Sequence, residues 1–242
     1  MHDAALEWIA STLVDAVEQG RRSPAAVTVL LRLYADTGRE AYRSATERAL
    51  TDILPQVASI RDARERLEWL GTLADASAIS DDDQLPQLVQ QLLPATIDDL
   101  ETFVRASYEP GEGLLGASLA DHVRTASALL TAFELTGRLP YSMLAEELLI
   151  AARRQGWDAE RRVFADDFSA NCVAAQLACR LAVLHRDPDY AAAAVVAPDA
   201  DYERDARIAL DALDAVYRDH PDAAAAYGLA LINWFTLNPH PN

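Results

Sequence analysis

The sequence predicts an all-α protein of packed helical hairpins, arranged as an incomplete (α/α) toroid in one domain over 1–242, and three observations carry that prediction. The composition is 51% hydrophobic, dominated by Ala and Leu, with only 9 Gly, and Ala and Leu lose little entropy in a helix. Apolar residues recur at helical spacing almost throughout, and no segment alternates well enough for a core strand. A helix–turn–helix unit also repeats at a spacing of roughly 50 residues, which suits the hairpins of a toroid.

Taken in order, Leu6, Ile9, Leu13 and Val17 place a helix over 3–19. In "SPAAVTVLLRLYADTG", Ser23 is the N-cap, Pro24 opens the helix and Gly38 stands just past its end. Further helices are expected over 40–55, 59–76, 83–107, 118–136, 140–155, 168–186, 200–218 and 222–236, with a shorter one over 188–196. Residues 156–167 interrupt the pattern and read as a short β-like excursion.

The repeat is visible residue by residue. "LLRLYADTGREAYRSATERAL" (30–50) aligns with "LLTAFELTGRLPYSMLAEELL" (129–149), matching Thr37-Gly38-Arg39 to Thr136-Gly137-Arg138 and Tyr42 to Tyr141. "LAVLHRDPDY" repeats the ending once more at Tyr190. Each unit is a helix, a tight turn, a Tyr that packs back and a second helix, while the unit near residue 91 is degenerate.

The net charge of −17 opposes binding to a phosphate backbone or an anionic lipid surface, so neither nucleic acid nor membrane is an expected partner. All 21 basic residues are Arg, which excludes Schiff-base lysine chemistry. Cys172 and Cys179 lie seven residues apart on one expected helix, about 10.5 Å by helical rise, too far for a disulfide. They read as reduced core residues, which suits a cytoplasmic setting. The acidic N-terminus does not read as a signal peptide, and the most apolar stretches, 191–197 and 223–235, are too short to span a bilayer. No phosphate loop, nucleophile elbow or zinc spacing is present, and "SDDDQLP" (80–86) lacks the glycine of a calcium loop, so no cofactor or metal is expected.

Several stretches point to a family. Leu119-Ala120-Asp121-His122-Val123 opens one helix, Arg162-Val163-Phe164-Ala165-Asp166 precedes another, Ser169-Ala170-Asn171 begins that helix, and His220-Pro221 introduces the last. With these, residues 25–236, most clearly 114–236, resemble the C-terminal helical part of the YyaL family, bacterial thioredoxin-domain proteins also called spermatogenesis-associated protein 20 in animals. The resemblance implies a six-hairpin glycosidase-like toroid related to N-acylglucosamine 2-epimerases. Against that family the chain lacks the thioredoxin-like domain and is about one hairpin short.

The chemistry then has two readings. Asp166 and Asp167 either cap the helix that follows or line a rim as a general acid or base, with Asp121 as the second carboxylate a glycosidase needs. His122, beginning an expected inner helix, is the proton-transfer candidate. Asp121, His122 and Asp167 are thus the catalytic candidates, and Tyr108, Trp157, Asp166 and Asn171 the substrate-binding ones. Trp157 could stack on a sugar face, and Tyr108 lies in the glycine-rich turn "SYEPGEGLLGAS". His185 is expected to face the C-terminal end of its helix dipole. The shortened ring and sparse histidines favour a non-catalytic interaction protein, with a second copy or another protein at the open ring edge; the alternative is a glycosidase-like or epimerase-like protein acting on or binding a small carbohydrate.

Overall fold

The structure is a computed structural model that describes residues 2–79, 83–158, 163–164, 167–193, 196–197 and 200–239. For His2, Asp3, Trp157, Val163 and Phe164 it describes the main chain only. The helices are α1 (His2–Glu18), α2 (Pro24–Thr37), α3 (Glu40–Ile53), α4 (Ala63–Ile79), α5 (Gln84–Ser107), α6 (Leu119–Thr136), α7 (Leu139–Gly156), α8 (Phe168–His185), α9 (Pro188–Ala193), α10 (Tyr202–Asp214) and α11 (Ala224–Leu237). Strands are confined, among the described residues, to two antiparallel two-residue pairs: β1 (Tyr108–Glu109) with β2 (Gly113–Leu114), and β3 (Trp157–Asp158) with β4 (Val163–Phe164). The fold is therefore all-α, and the β-like excursion lies where the sequence places it. The acid run at 80–82 lies outside the described residues.

The chain forms two compact units, Met1–Phe103 and Val104–Asn242, with the boundary inside α5, where the sequence reading expects one domain. In the first unit α2 is the central element. Its cap is as expected: Ser23 accepts from the Ala26 N–H at 3.2 Å. The run Ala26–Leu31 is buried without a break, because α1, α3 and α4 all pack on this helix. Thr28 and Thr72 close a buried hydroxyl pair at 3.0 Å between α2 and α4. Arg66, almost fully buried on α4, donates to Thr96 at 2.7 Å and to the Ile60 carbonyl at 2.8 Å, and pairs with Asp99. Each of its three nitrogens thereby has a partner, which offsets the cost of burying the guanidinium.

In the second unit α8 is the central element and packs against α6, α10 and α11. Ala174, Ala175, Leu177, Ala178 and Leu181 are buried around most of its circumference, which only a surrounded helix shows. Arg180 reaches Glu134 and Thr131 on α6 at 2.9 and 3.1 Å, and Gln176 donates to the Ala226 carbonyl on α11 at 2.7 Å. Both cysteines are buried on α8, and burial raises both thiols, Cys179 to about 12. They are inert core residues.

The repeat proves to be one turn built twice. Gly38 and Gly137 are left-handed, with φ of 65° and 68°, and donate back to Tyr34 and Phe133. Thr37 and Thr136 each bond the carbonyl four residues earlier at 2.6 Å. Arg39 donates to the Tyr42 hydroxyl at 2.9 Å and Arg138 to the Tyr141 hydroxyl at 2.6 Å. Each guanidinium also lies over its tyrosine ring, at 5.8 and 4.9 Å from the centroid.

Because a Cβ is strained in the left-handed region, Gly38→Ala and Gly137→Ala should each destabilise the protein by about 1–2 kcal/mol. Urea unfolding checks this. Equal effects at the two sites are expected, since both glycines have open space around the missing Cβ.

Candidate functional site

The residues singled out by the sequence gather at two helix starts. The first is the N-terminus of α6. Ser118 accepts from the Asp121 N–H at 3.2 Å, and Asp121 accepts in return from the Ser118 N–H at 3.2 Å and hydroxyl at 2.7 Å. This is a capping box closed by Asp in place of the usual Glu.

His122 follows on α6 and has no exposed surface. Its Nδ1 lies 2.9 Å from the Ser118 carbonyl, which can only accept, so Nδ1 carries the proton. Its Nε2 accepts from the Leu114 N–H at 2.9 Å. The two partners fix the neutral tautomer and occupy both ring nitrogens.

The β1–β2 hairpin is fastened over this histidine and α7. Tyr108 donates its hydroxyl to Glu147, while Arg154 and Gln155 reach the Gly111 and Glu112 carbonyls, both at 3.3 Å. Burial and then Glu147 raise the Tyr108 phenol to about 12. Gly113 has φ of 83°, and a Cβ there would stand 2.7 Å from both His122 Nε2 and the Ala151 Cβ. Only glycine allows the close approach.

The other start is that of α8. Asp167 accepts from the Ala170 N–H at 2.9 Å, and Asn171 donates its side-chain amide to the Asp167 carbonyl at 2.8 Å. The Asp166 position and the Trp157 side chain lie outside the described residues. Asn171 also lines a cavity of about 20 Å³ with Leu149, Arg153, Ala174, Ala178, Asp205 and Ala209. That is room for about one water. Arg153 and Asp205 close its rim with two bonds, at 2.5 and 3.0 Å.

One turn along the same face of α7 lies a cluster that the sequence reading does not single out. Glu146 is fully buried, and its Oε1 lies 2.5 Å from His185 Nε2. His185 is thus turned to α7, not only to its own helix end. Its ring packs against Tyr190 of α9 and Tyr202 of α10, with centroids 5.4 and 5.2 Å away. Glu146 Oε2 and both tyrosine hydroxyls are buried without a hydrogen-bond partner among the described residues. Tyr202 lies within reach of the carboxylate: burial first, then the Glu146 charge and hydrogen bonding to Glu146, raises this phenol, while burial first raises Tyr190 against an opposing effect of Ser142. The signal in "LAEELL" is an acid in helical register with Ser142, Leu149 and Arg153, but adjacent Glu146 and Glu147 make the buried one ambiguous.

No protein-family model matches the sequence, and the chain has no match among curated proteins or solved structures.

Two outcomes follow from this geometry. Gly113→Ala should cost about 2 kcal/mol or more, from left-handed strain plus overpacking against His122, read by denaturant unfolding. The Tyr108 phenol, raised in the folded state, stabilises the protein below its unfolded pKa near 10, and that contribution fades as pH climbs toward about 12. The stability gap between wild type and Tyr108→Phe should therefore be constant from pH 7 to 9 and shrink above pH 10.

Proposed function

We propose that this chain is a non-catalytic interaction protein built on a shortened, six-hairpin glycosidase-like toroid. One observation carries the reading: both described candidate acids are engaged at their own helix starts. Asp121 closes a capping box and Asp167 caps α8. A glycosidase acid or base must instead present its carboxylate to the scissile bond. His122, with both ring nitrogens bonded to main chain, supports the same reading. The cavity beside Asn171 is smaller than a sugar ring, which weighs against a carbohydrate site there.

The toroid rests on the repeated hairpin turn and on the resemblance of the quoted stretches. A second copy or another protein would then cover the open ring edge. The apolar α11 is the association surface: one face packs on α8, while Leu229, Trp234 and Phe235 remain half-buried.

Asp121→Asn and Asp167→Asn should each lower stability by about 1 kcal/mol, as cap losses do. In a thermal-shift screen against mono- and disaccharides, wild type and both variants should all show no sugar-specific rise in midpoint. A sugar-specific rise in midpoint that either substitution abolishes would overturn the reading. In parallel, light scattering across a dilution series should show a concentration-dependent complex, either of the chain alone or with its partner, weakened by Leu229→Glu.

A further inference from the structure

The cluster around Glu146 is not needed to build its turn, because the fold makes that turn twice without it. Tyr190 occupies the repeat position of Tyr42 and Tyr141. In those copies an arginine occupies the phenol oxygen, and a threonine bonds its own helix. In the third copy Thr-Gly-Arg is replaced by His185-Arg186-Asp187. Asp187 cannot donate to the phenol, and Arg186 turns instead to the Leu237 carbonyl at 2.6 Å and to Glu203 at 2.9 Å. His185 replaces the threonine and points at Glu146. Glu146 itself matches Glu47 in the first hairpin, which is exposed and paired to Arg43 at 2.8 Å. The same acid position is thus a surface ion pair in one unit and the floor of a sealed cluster in the other.

Buried polar atoms nearly always find partners. Here, among the described residues, a carboxylate oxygen and two hydroxyls that make no well-formed hydrogen bond are contributed by α7, α9 and α10. Ser142, beside Tyr190, spends its one proton on the Leu139 carbonyl at 2.9 Å and has only lone pairs left to offer the phenol. We propose that Glu146, Tyr190 and Tyr202 form a binding site for one solvent-sized hydrogen-bond donor, held between α7, α9 and α10. The molecule donates to Glu146 Oε2. Water also accepts from the phenols, and ammonium donates to them. Both satisfy the same three atoms.

The test uses the whole chain and three arms. One arm compares Tyr190→Phe, Tyr202→Phe and the double variant by thermal unfolding. Each single change should lower the midpoint by a few degrees, and the double by clearly less than the sum, because the first loss already loosens the shared molecule. Another arm detects a long-lived water contact to the two tyrosines by water-selective nuclear magnetic resonance. The last compares midpoints in ammonium chloride and sodium chloride at equal ionic strength, for wild type and Glu146→Gln.

A water contact with no ammonium effect identifies water, and an ammonium-specific rise lost in Glu146→Gln identifies the cation. Additive tyrosine effects with neither signal would overturn the site and leave a direct Tyr202 bond to Glu146 in its place. If the phenylalanine variants do not fold, the wild-type resonance and salt comparisons decide alone.

Discussion

The α2–α3 and α6–α7 hairpins each depend on the clasp at their turn, where a left-handed glycine reverses the chain and an arginine reaches forward to the next tyrosine. The glycine ends the first helix by sending its N–H back to the carbonyl of Tyr34 or Phe133. The arginine then grips the hydroxyl and covers the ring of Tyr42 or Tyr141, three residues on. Because both tyrosines are buried, the clasp also sets the rotation of the second helix about its axis. Where the second helix of a hairpin sits decides what its outer face can meet, and so what the neighbouring helices must bury.

That clasp explains why so much of the fold was legible in the sequence. Thr-Gly-Arg with a tyrosine three residues on has a local mechanism, so its recurrence at 37–42 and 136–141 identified a structural unit without any tertiary information. The Ser23-Pro24 start and the Gly38 stop were local in the same way. The boundaries of α4 and α10 were less so: α4 begins at Ala63 and not near 59, because Val57–Ser59 takes a tighter helical turn first. The β1–β2 hairpin was hidden because its two-residue strands are too short for a period.

The candidate residues show the same divide. The sequence marked Asp121 and Asp167 as acids at helix starts, which they are, but chemistry there depended on where the carboxylates turn. Ser118 and the free N–H groups of the first helical turn settle that locally. Glu146 was illegible because nothing local distinguishes it from Glu147. One is sealed by α8 and α10, and the other bonds Tyr108. The identity of a buried polar partner is decided by residues far along the chain, as in His185, 39 positions from Glu146, and Tyr202, 56 positions from it, and no periodicity reports that separation.

The chain's two thiols are its only ones, and both are enclosed within α8. A maleimide or nitroxide reagent therefore meets no reactive background on the folded chain. Any single cysteine added at an exposed position, on α3 or α10 for instance, becomes a unique attachment point for a spin label or fluorophore. Distances within each unit become measurable from wild-type sequence plus two changes, and exposure of the native pair becomes a built-in reporter of when the second unit opens.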